Sequence, residues 1–236
     1  STNNENYSPI RLALMAGGDV QEWILTSEVI KSADGTGNTP LHYAAEWKLD
    51  NACSVLLEKG ANANARNANG ETPLFNAVKA NTTTTIDLLV KHGADKEIRD
   101  FLGNTLLHAC VRWDAKNSAM KLIQLKSDLN ALNLAGKTPL SQAARSSRIA
   151  MVNLLLENGA NIDAYDATGR TILMDAIQSG NASIVSLLLR KGASPLIQEM
   201  YGRNAYHEAA ESGNLELIKL IQEAGGNPLS RDTYGT

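Results

Sequence analysis

Apolar residues return along this chain at i, i+3 and i+4: Leu41, Ala44 and Ala45; Leu74, Ala77 and Val78; Leu140, Ala143 and Ala144; Leu173, Ala176 and Ile177. That spacing paints one face of a helix, and its small residues let a neighbouring helix approach closely. A denser apolar block follows each set, as at Val55-Leu56-Leu57, Leu154-Leu155-Leu156, Leu187-Leu188-Leu189 and Leu217-Ile218 with Leu220-Ile221. The pattern therefore predicts short helices in pairs. Thr39-Pro40, Thr72-Pro73 and Thr138-Pro139 mark helix starts, the hydroxyl capping free N–H groups and the proline filling a first-turn position where its missing N–H costs nothing. Gly60, Gly93, Gly159, Gly192 and Gly225 stop the second helix of a pair, since glycine adopts the left-handed conformation readily.

A second glycine set, Gly37, Gly70, Gly103, Gly136, Gly169, Gly202 and Gly235, recurs every 33 residues. A fixed period of this size marks stacked units, each leaving an apolar face that its neighbours cover. The reading is one array over 1–236: a cap at 7–33, repeats starting near 37, 70, 103, 136, 169 and 202, and the start of a seventh at 235. In the cap, Ser8-Pro9-Ile10 is a degraded helix start, with Trp23, Ile24 and Leu25 on its second helix. Three residues before each glycine stands Asp34, Asn67, Asp100, Asn133, Asp166, Glu199 or Asp232, a side chain able to bond its own turn backbone. Repeat three departs from the pattern: Leu106 replaces the proline, Lys126 the stop glycine, and its second helix is expected to slide one residue late onto Met120, Leu122 and Ile123. Thr82-Thr83-Thr84-Thr85 reads as a loose helix start rather than a phosphorylated patch.

Thr39-Pro40-Leu41-His42 with Ala44-Ala45, followed by Leu56-Leu57-Glu58-Lys59-Gly60-Ala61-Asn62, resembles the ankyrin repeat, and the likeness runs in phase from about Ser8 to the end. The resemblance implies an all-α fold: an ankyrin-repeat solenoid of antiparallel helix pairs with projecting β-hairpin fingers. It also implies protein binding on the concave side, through finger tips, the residues after the repeat glycine and the exposed side of the first helix.

Twenty-two basic against 25 acidic residues leave a net charge of −3, which gives no general drive toward nucleic acid or anionic membrane. No apolar run approaches the roughly 20 residues that span a bilayer, so no membrane insertion is expected. Ser1 to Asn6 shows no signal-peptide pattern, although a chain beginning without Met leaves a removed leader open. Cys53 and Cys110 fall on apolar faces two repeats apart, too far for a disulfide, and are expected to be small buried side chains in a reducing compartment. The expectation is a cytoplasmic monomer.

No nucleophile–base pair, paired carboxylates or metal-spaced His/Cys set stands out, so no catalytic residue, cofactor or metal is assigned and enzymatic activity is not expected. His42, His108 and His207 share one motif position, which predicts a repeated local hydrogen bond. Recognition remains. Phe101, Leu102, Arg112 and Trp113 gather on repeat three, flanked by Trp47, Leu134 and Arg145, with Met200 and Tyr201 on a later finger. Aromatics and arginines at positions that a repeat need not fill are typical of interface hot spots. For Trp47 and Trp113 the competing reading is that each ring shields core over the inter-helix turn. Lys137, Arg145, Arg170 and Arg203 would add positive charge for an acidic partner segment. The leading function is a protein-interaction module; the alternative is a regulatory or targeting segment of a larger enzyme, channel or secreted effector. A metabolite-binding domain ranks third.

Overall fold

The computed structural model describes residues 27–235, so most of the expected cap, including Trp23, Ile24 and Leu25, lies outside the described residues. After α1 (Ser27–Lys31) come six helix pairs: α2 (Pro40–Glu46) and α3 (Asp50–Glu58); α4 (Pro73–Lys79) and α5 (Thr83–Lys91); α6 (Leu106–Trp113) and α7 (Lys116–Gln124); α8 (Pro139–Arg145) and α9 (Ile149–Glu157); α10 (Ile172–Gln178) and α11 (Ala182–Arg190); α12 (Ala205–Ser212) and α13 (Leu215–Glu223). The described residues form no sheet; a single antiparallel bridge joins Tyr165 and Thr171. The chain packs as two compact units, one ending at Ser127 and the other beginning at Asp128. Within each, a first helix packs on its own second helix and on the first helix of the next repeat.

The i, i+3, i+4 residues are the core. Leu41, Ala44 and Ala45, then Leu74, Ala77 and Val78, are fully buried, as are Leu140, Ala143, Ala144, Ala176 and Ile177 in the second unit. Cys53 and Cys110 are buried free thiols, and burial pushes the Cys53 pKa up to about 12. Four non-glycine residues, Lys48, Asn81, Asp114 and Ser147, take positive φ in the turn between the helices of repeats one to four, where repeats five and six place Gly180 and Gly213.

Repeat three corrects one expectation. Its second helix does not slide: α7 keeps the length and phase of its counterparts, burying Ser118, Ala119 and Leu122 where α3 buries Ala52, Cys53 and Leu56. Met120, expected on the apolar face, is exposed. Small residues take the inward positions instead, and the buried Ser118 satisfies itself across the layer, its N–H donating to Asn81 Oδ1 at 2.9 Å and its hydroxyl to the Val78 carbonyl at 3.4 Å. Lys126 adopts the stop conformation itself, at φ 64°.

Each finger is a tight hairpin. In the first, Gly37 N–H donates to the Asp34 carbonyl at 2.9 Å and Asp34 N–H to the Asn38 carbonyl at 3.1 Å, a three-residue turn closed by a left-handed glycine. The Asx side chain completes it as predicted: Asp34 Oδ1 accepts from the Thr36 and Asn38 N–H groups, and Asn67, Asp100, Asn133, Asp166 and Glu199 repeat the arrangement. Adjacent fingers are tied by single backbone bonds, Ala68 N–H to Thr36 O and Phe101 N–H to Asn69 O in the first unit, and Met200 N–H to Thr168 O in the second. All seven glycines of the period take positive φ, which accounts for the residue type, and close approach of the next finger adds to this at some of them. A Cβ on Gly70 would stand 2.8 Å from the Phe101 backbone nitrogen.

Helix starts are less uniform than the Thr-Pro motif suggests. Thr138 caps as expected, its hydroxyl accepting from the Ser141 N–H at 3.1 Å, and Thr171, which no proline follows, does the same with the Met174 N–H at 3.3 Å. The Thr72 hydroxyl is buried without a partner. Where the third helical residue is histidine, its Nδ1 accepts from the cap N–H: His42 from Thr39 at 3.0 Å, His108 from Thr105 at 3.2 Å, His207 from Asn204 at 3.1 Å. This is the repeated local bond expected of the three histidines, and burial lowers the pKa of His42.

Candidate partner-binding surface

On repeat three the finger and the end of α6 are physically joined. Arg112 sets Nη1 3.3 Å from Glu71 Oε1 and Nη2 3.5 Å from Asp100 Oδ2, the carboxylate that organises the finger turn. Its guanidinium also lies over the Trp113 ring, 5.5 Å from the centroid. Beyond Asp100, Phe101 and Leu102 form the finger tip and are 60% and 64% exposed. Arg66 from the preceding finger lies over the Phe101 ring at 5.3 Å and donates to the carbonyls of Gly70 and Arg99. Two aromatic faces are therefore each backed by an arginine that is itself held in place.

Two of the predicted residues also make contacts inside the repeat array. Arg112 is not a position the repeat leaves unused, since it bridges the acids of repeats two and three. Trp47 is half-buried, its ring 5.2 Å from that of Tyr43 at an interplanar angle of 34°, at the end of the first helix of repeat one. Trp113 is likewise half-buried. Phe101 and Leu102 are the residues that cover nothing in their own repeat.

In the second unit Leu134 is 79% exposed, Arg145 is exposed at the end of α8, and Met200 and Tyr201 stand out on their finger, where Tyr201 stacks on Tyr234 at 6.4 Å. Of the four cations expected to line this face, three are paired within the chain. Lys137 Nζ lies 2.9 Å from Asp166 Oδ2 and 2.7 Å from Asp175 Oδ2; Arg170 lies 3.4 Å from Asp175 and holds both oxygens of Glu208 at 3.0 Å. Arg203 meets Glu208 at 3.6 Å and also pairs with Glu211. Three of the four cations thus belong to an alternating ion-pair ladder across repeats four to six: Lys137 and Arg170 reach acids on the first helix of the following repeat, and Arg203 reaches acids on α12, the helix it leads into. Burial alone would raise the pKa of Asp166, but bonds from the Thr168 hydroxyl, the Lys137 ammonium and the Thr168 and Arg170 N–H groups outweigh it and hold it at about 2.

The ladder acids were missed in the sequence, although the signal was present: Lys137 and Asp175 are 38 residues apart, and so are Arg170 and Glu208. Tyr165, Leu196, Leu229 and Tyr234 are exposed apolar residues that the motif positions did not single out.

The protein-family model for ankyrin repeats, in its three-copy form, matches residues 1–67, 62–133, 115–199 and 164–232. The chain belongs to the ankyrin repeat family. Ankyrin repeat domains are in general protein–protein interaction modules. Among solved structures, the ankyrin repeat domain of Bcl-3, described as a member of the IkappaB protein family, is 25% identical over 90% of each chain, with a TM-score of 0.74. The human ASB11 ankyrin repeat domain is 24% identical, covering 84% of this chain and 89% of that one, with a TM-score of 0.71, and shares the fold. No helix among the described residues of this ankyrin repeat protein is long and apolar enough to cross a membrane.

Proposed function

We propose that this chain is a non-catalytic module that holds a partner protein through the finger tip and adjoining helix end of repeat three. The observation that carries the reading is the pair Phe101 and Leu102, large apolar side chains exposed on a finger with no core beneath them, beside Trp113 and its stacked Arg112. Preformed side chains on a hydrogen-bonded turn lose little freedom on binding, so the cost of ordering falls mainly on the partner. Trp47 contributes at the edge of the same unit. In the second unit Leu134, Met200 and Tyr201 offer further apolar contact, and Arg145 is the cation that an acidic partner segment would meet. The buried free thiols fit a cytoplasmic monomer.

The test is affinity capture with the chain as bait, followed by titration of variants against the captured protein. Phe101→Ala and Leu102→Ala should weaken binding by about 2 kcal/mol or more if they are hot spots, with the unfolding curve unchanged. Arg112→Ala is a poorer probe, because it also removes the bridge to Glu71 and Asp100. Full affinity in both finger variants, with loss on changing Gln178 or Glu211, would move the site to the C-terminal repeats and end this assignment.

A further inference from the structure

The second helices differ between the two units at their first residue. Repeats one, two and three begin them with Asp50, Thr83 and Lys116, whereas repeats four, five and six use Ile149, Ala182 and Leu215. The fold does not ask for an apolar residue there, yet Ile149 is 46% exposed with repeats on both sides of it in the sequence. Ile149 and Ala182 border a groove of about 420 Å³ that lies over α11, between α9 and α13. Its floor is low because α11 presents Ala182, Ser183 and Ser186, and Ile149 and Leu220 stand on the two walls. The groove belongs to an interior seam. There α9 and α11 approach each other less closely than α11 and α13 do. Among the described residues, the Ala167 N–H makes no bond to the Ala135 carbonyl, the tie that Met200 and Thr168 form at the next pair of fingers.

Two charges at opposite ends of the groove have no ion partner among the described residues. Arg190, at the end of α11, donates to the Ser186 hydroxyl at 2.6 Å, which brings its guanidinium back toward the floor. Glu216 stands in the first turn of α13. It is in phase with Ser183, seven residues before Arg190, so the two charges are offset by about 10 Å along the helix direction. That is two helical turns. A small molecule needs a site that encloses most of its surface, which an open trough does not provide. An amphipathic helix suits it, since residues i, i+3, i+4 and i+7 enter a groove together.

We infer that this groove docks an amphipathic helix of a partner protein, running antiparallel to α11. The helix sets an Asp or Glu against Arg190, apolar residues three and four positions later between Ile149 and Leu220, and a Lys or Arg seven positions later against Glu216. That order puts the acid toward the N-terminus of the docked helix and the base toward its C-terminus, as the helix dipole favours. The groove shares no residue with the repeat-three finger, so the two readings stand or fall separately.

The test selects a displayed library of alanine-rich helices, randomised at i, i+3, i+4 and i+7, on the full chain. The expected consensus is an acid at i, apolar residues at i+3 and i+4, and a base at i+7. In fluorescence anisotropy the selected peptide should bind Ile149→Lys and Ala182→Lys more weakly by about tenfold or more, the loss of a hot-spot contact. Repeat three carries Lys116 at this position, so both variants should melt like the parent. The double variant Arg190→Glu, Glu216→Arg should prefer the peptide with its two charges exchanged. A selection without this consensus, selected peptides that bind the lysine variants as well as the parent, or a double variant indifferent to the exchange overturns the inference. So does a concentration-dependent dimer of the unmodified chain that Ile149→Lys dissolves, which would make a second copy the occupant.

Discussion

Two buried threonines at the same repeat position have opposite roles. Thr138 accepts from the Ser141 N–H, whereas the Thr72 hydroxyl is buried with no partner. Replacing a satisfied cap should cost about 1 kcal/mol, while removing a buried unsatisfied hydroxyl with its shape preserved is neutral or stabilising. Thr138→Val is therefore expected to lower the urea midpoint and Thr72→Val to leave it unchanged or raise it. Asp166 supplies a second prediction at this scale. Its folded pKa, about 2, lies below the ordinary 3.8, so its contribution is fully present above the ordinary value and is lost as pH falls through the folded one. Unfolding measured across that interval should show the parent losing stability and Asp166→Asn losing less. A parallel loss in both would mean that the turn bonds do not favour the ionised carboxylate.

Among the elements, the second helices keep one length and one phase even where the sequence blurs it. The apolar pattern of Lys116–Gln124 looked displaced because Ser118 and Ala119 carry little hydrophobic signal, yet smallness is what the inward positions of that helix require. Helix pairs, finger turns and stop glycines were legible because each depends on a local residue choice repeated in phase. The ion-pair ladder and the Arg112 bridge were not, because a charge reads as solvent-exposed until its partner one repeat away is seen. Phe101, Leu102 and Leu134 were legible as exposed, whereas the rings of Trp47 and Trp113 turned partly inward. Lys126 carries a Cβ at φ 64°, where other repeats use glycine, and the left-handed conformation costs such a residue roughly 1 kcal/mol. Lys126→Gly should raise stability by about that amount in urea unfolding, and Gly60→Ala, at φ 88° with open space around the new methyl, should lower it comparably. A destabilised Lys126→Gly would show that the lysine side chain earns its place through contacts.

Across the whole molecule, stability of a repeat chain is close to a sum of repeat and nearest-neighbour terms, and the ladder contributes to the second kind. Its partners are spaced 38 residues apart in both rungs, one repeat length plus a fixed offset. The pairing is therefore indifferent to whether repeat five or repeat six comes next, the two repeats that carry an acid at the receiving position. Excising 170–202 would bring Glu208 into the place of Asp175 opposite Lys137, and the shortened chain should still fold, with Lys137→Glu destabilising it as in the parent. Circular dichroism melts of the excised chain with and without that change would check this, and an excised chain indifferent to Lys137→Glu would refute it. Within repeats four to six, a charge pattern whose unit is the repeat itself lets recombination lengthen or shorten that part of the array without writing a new interface each time.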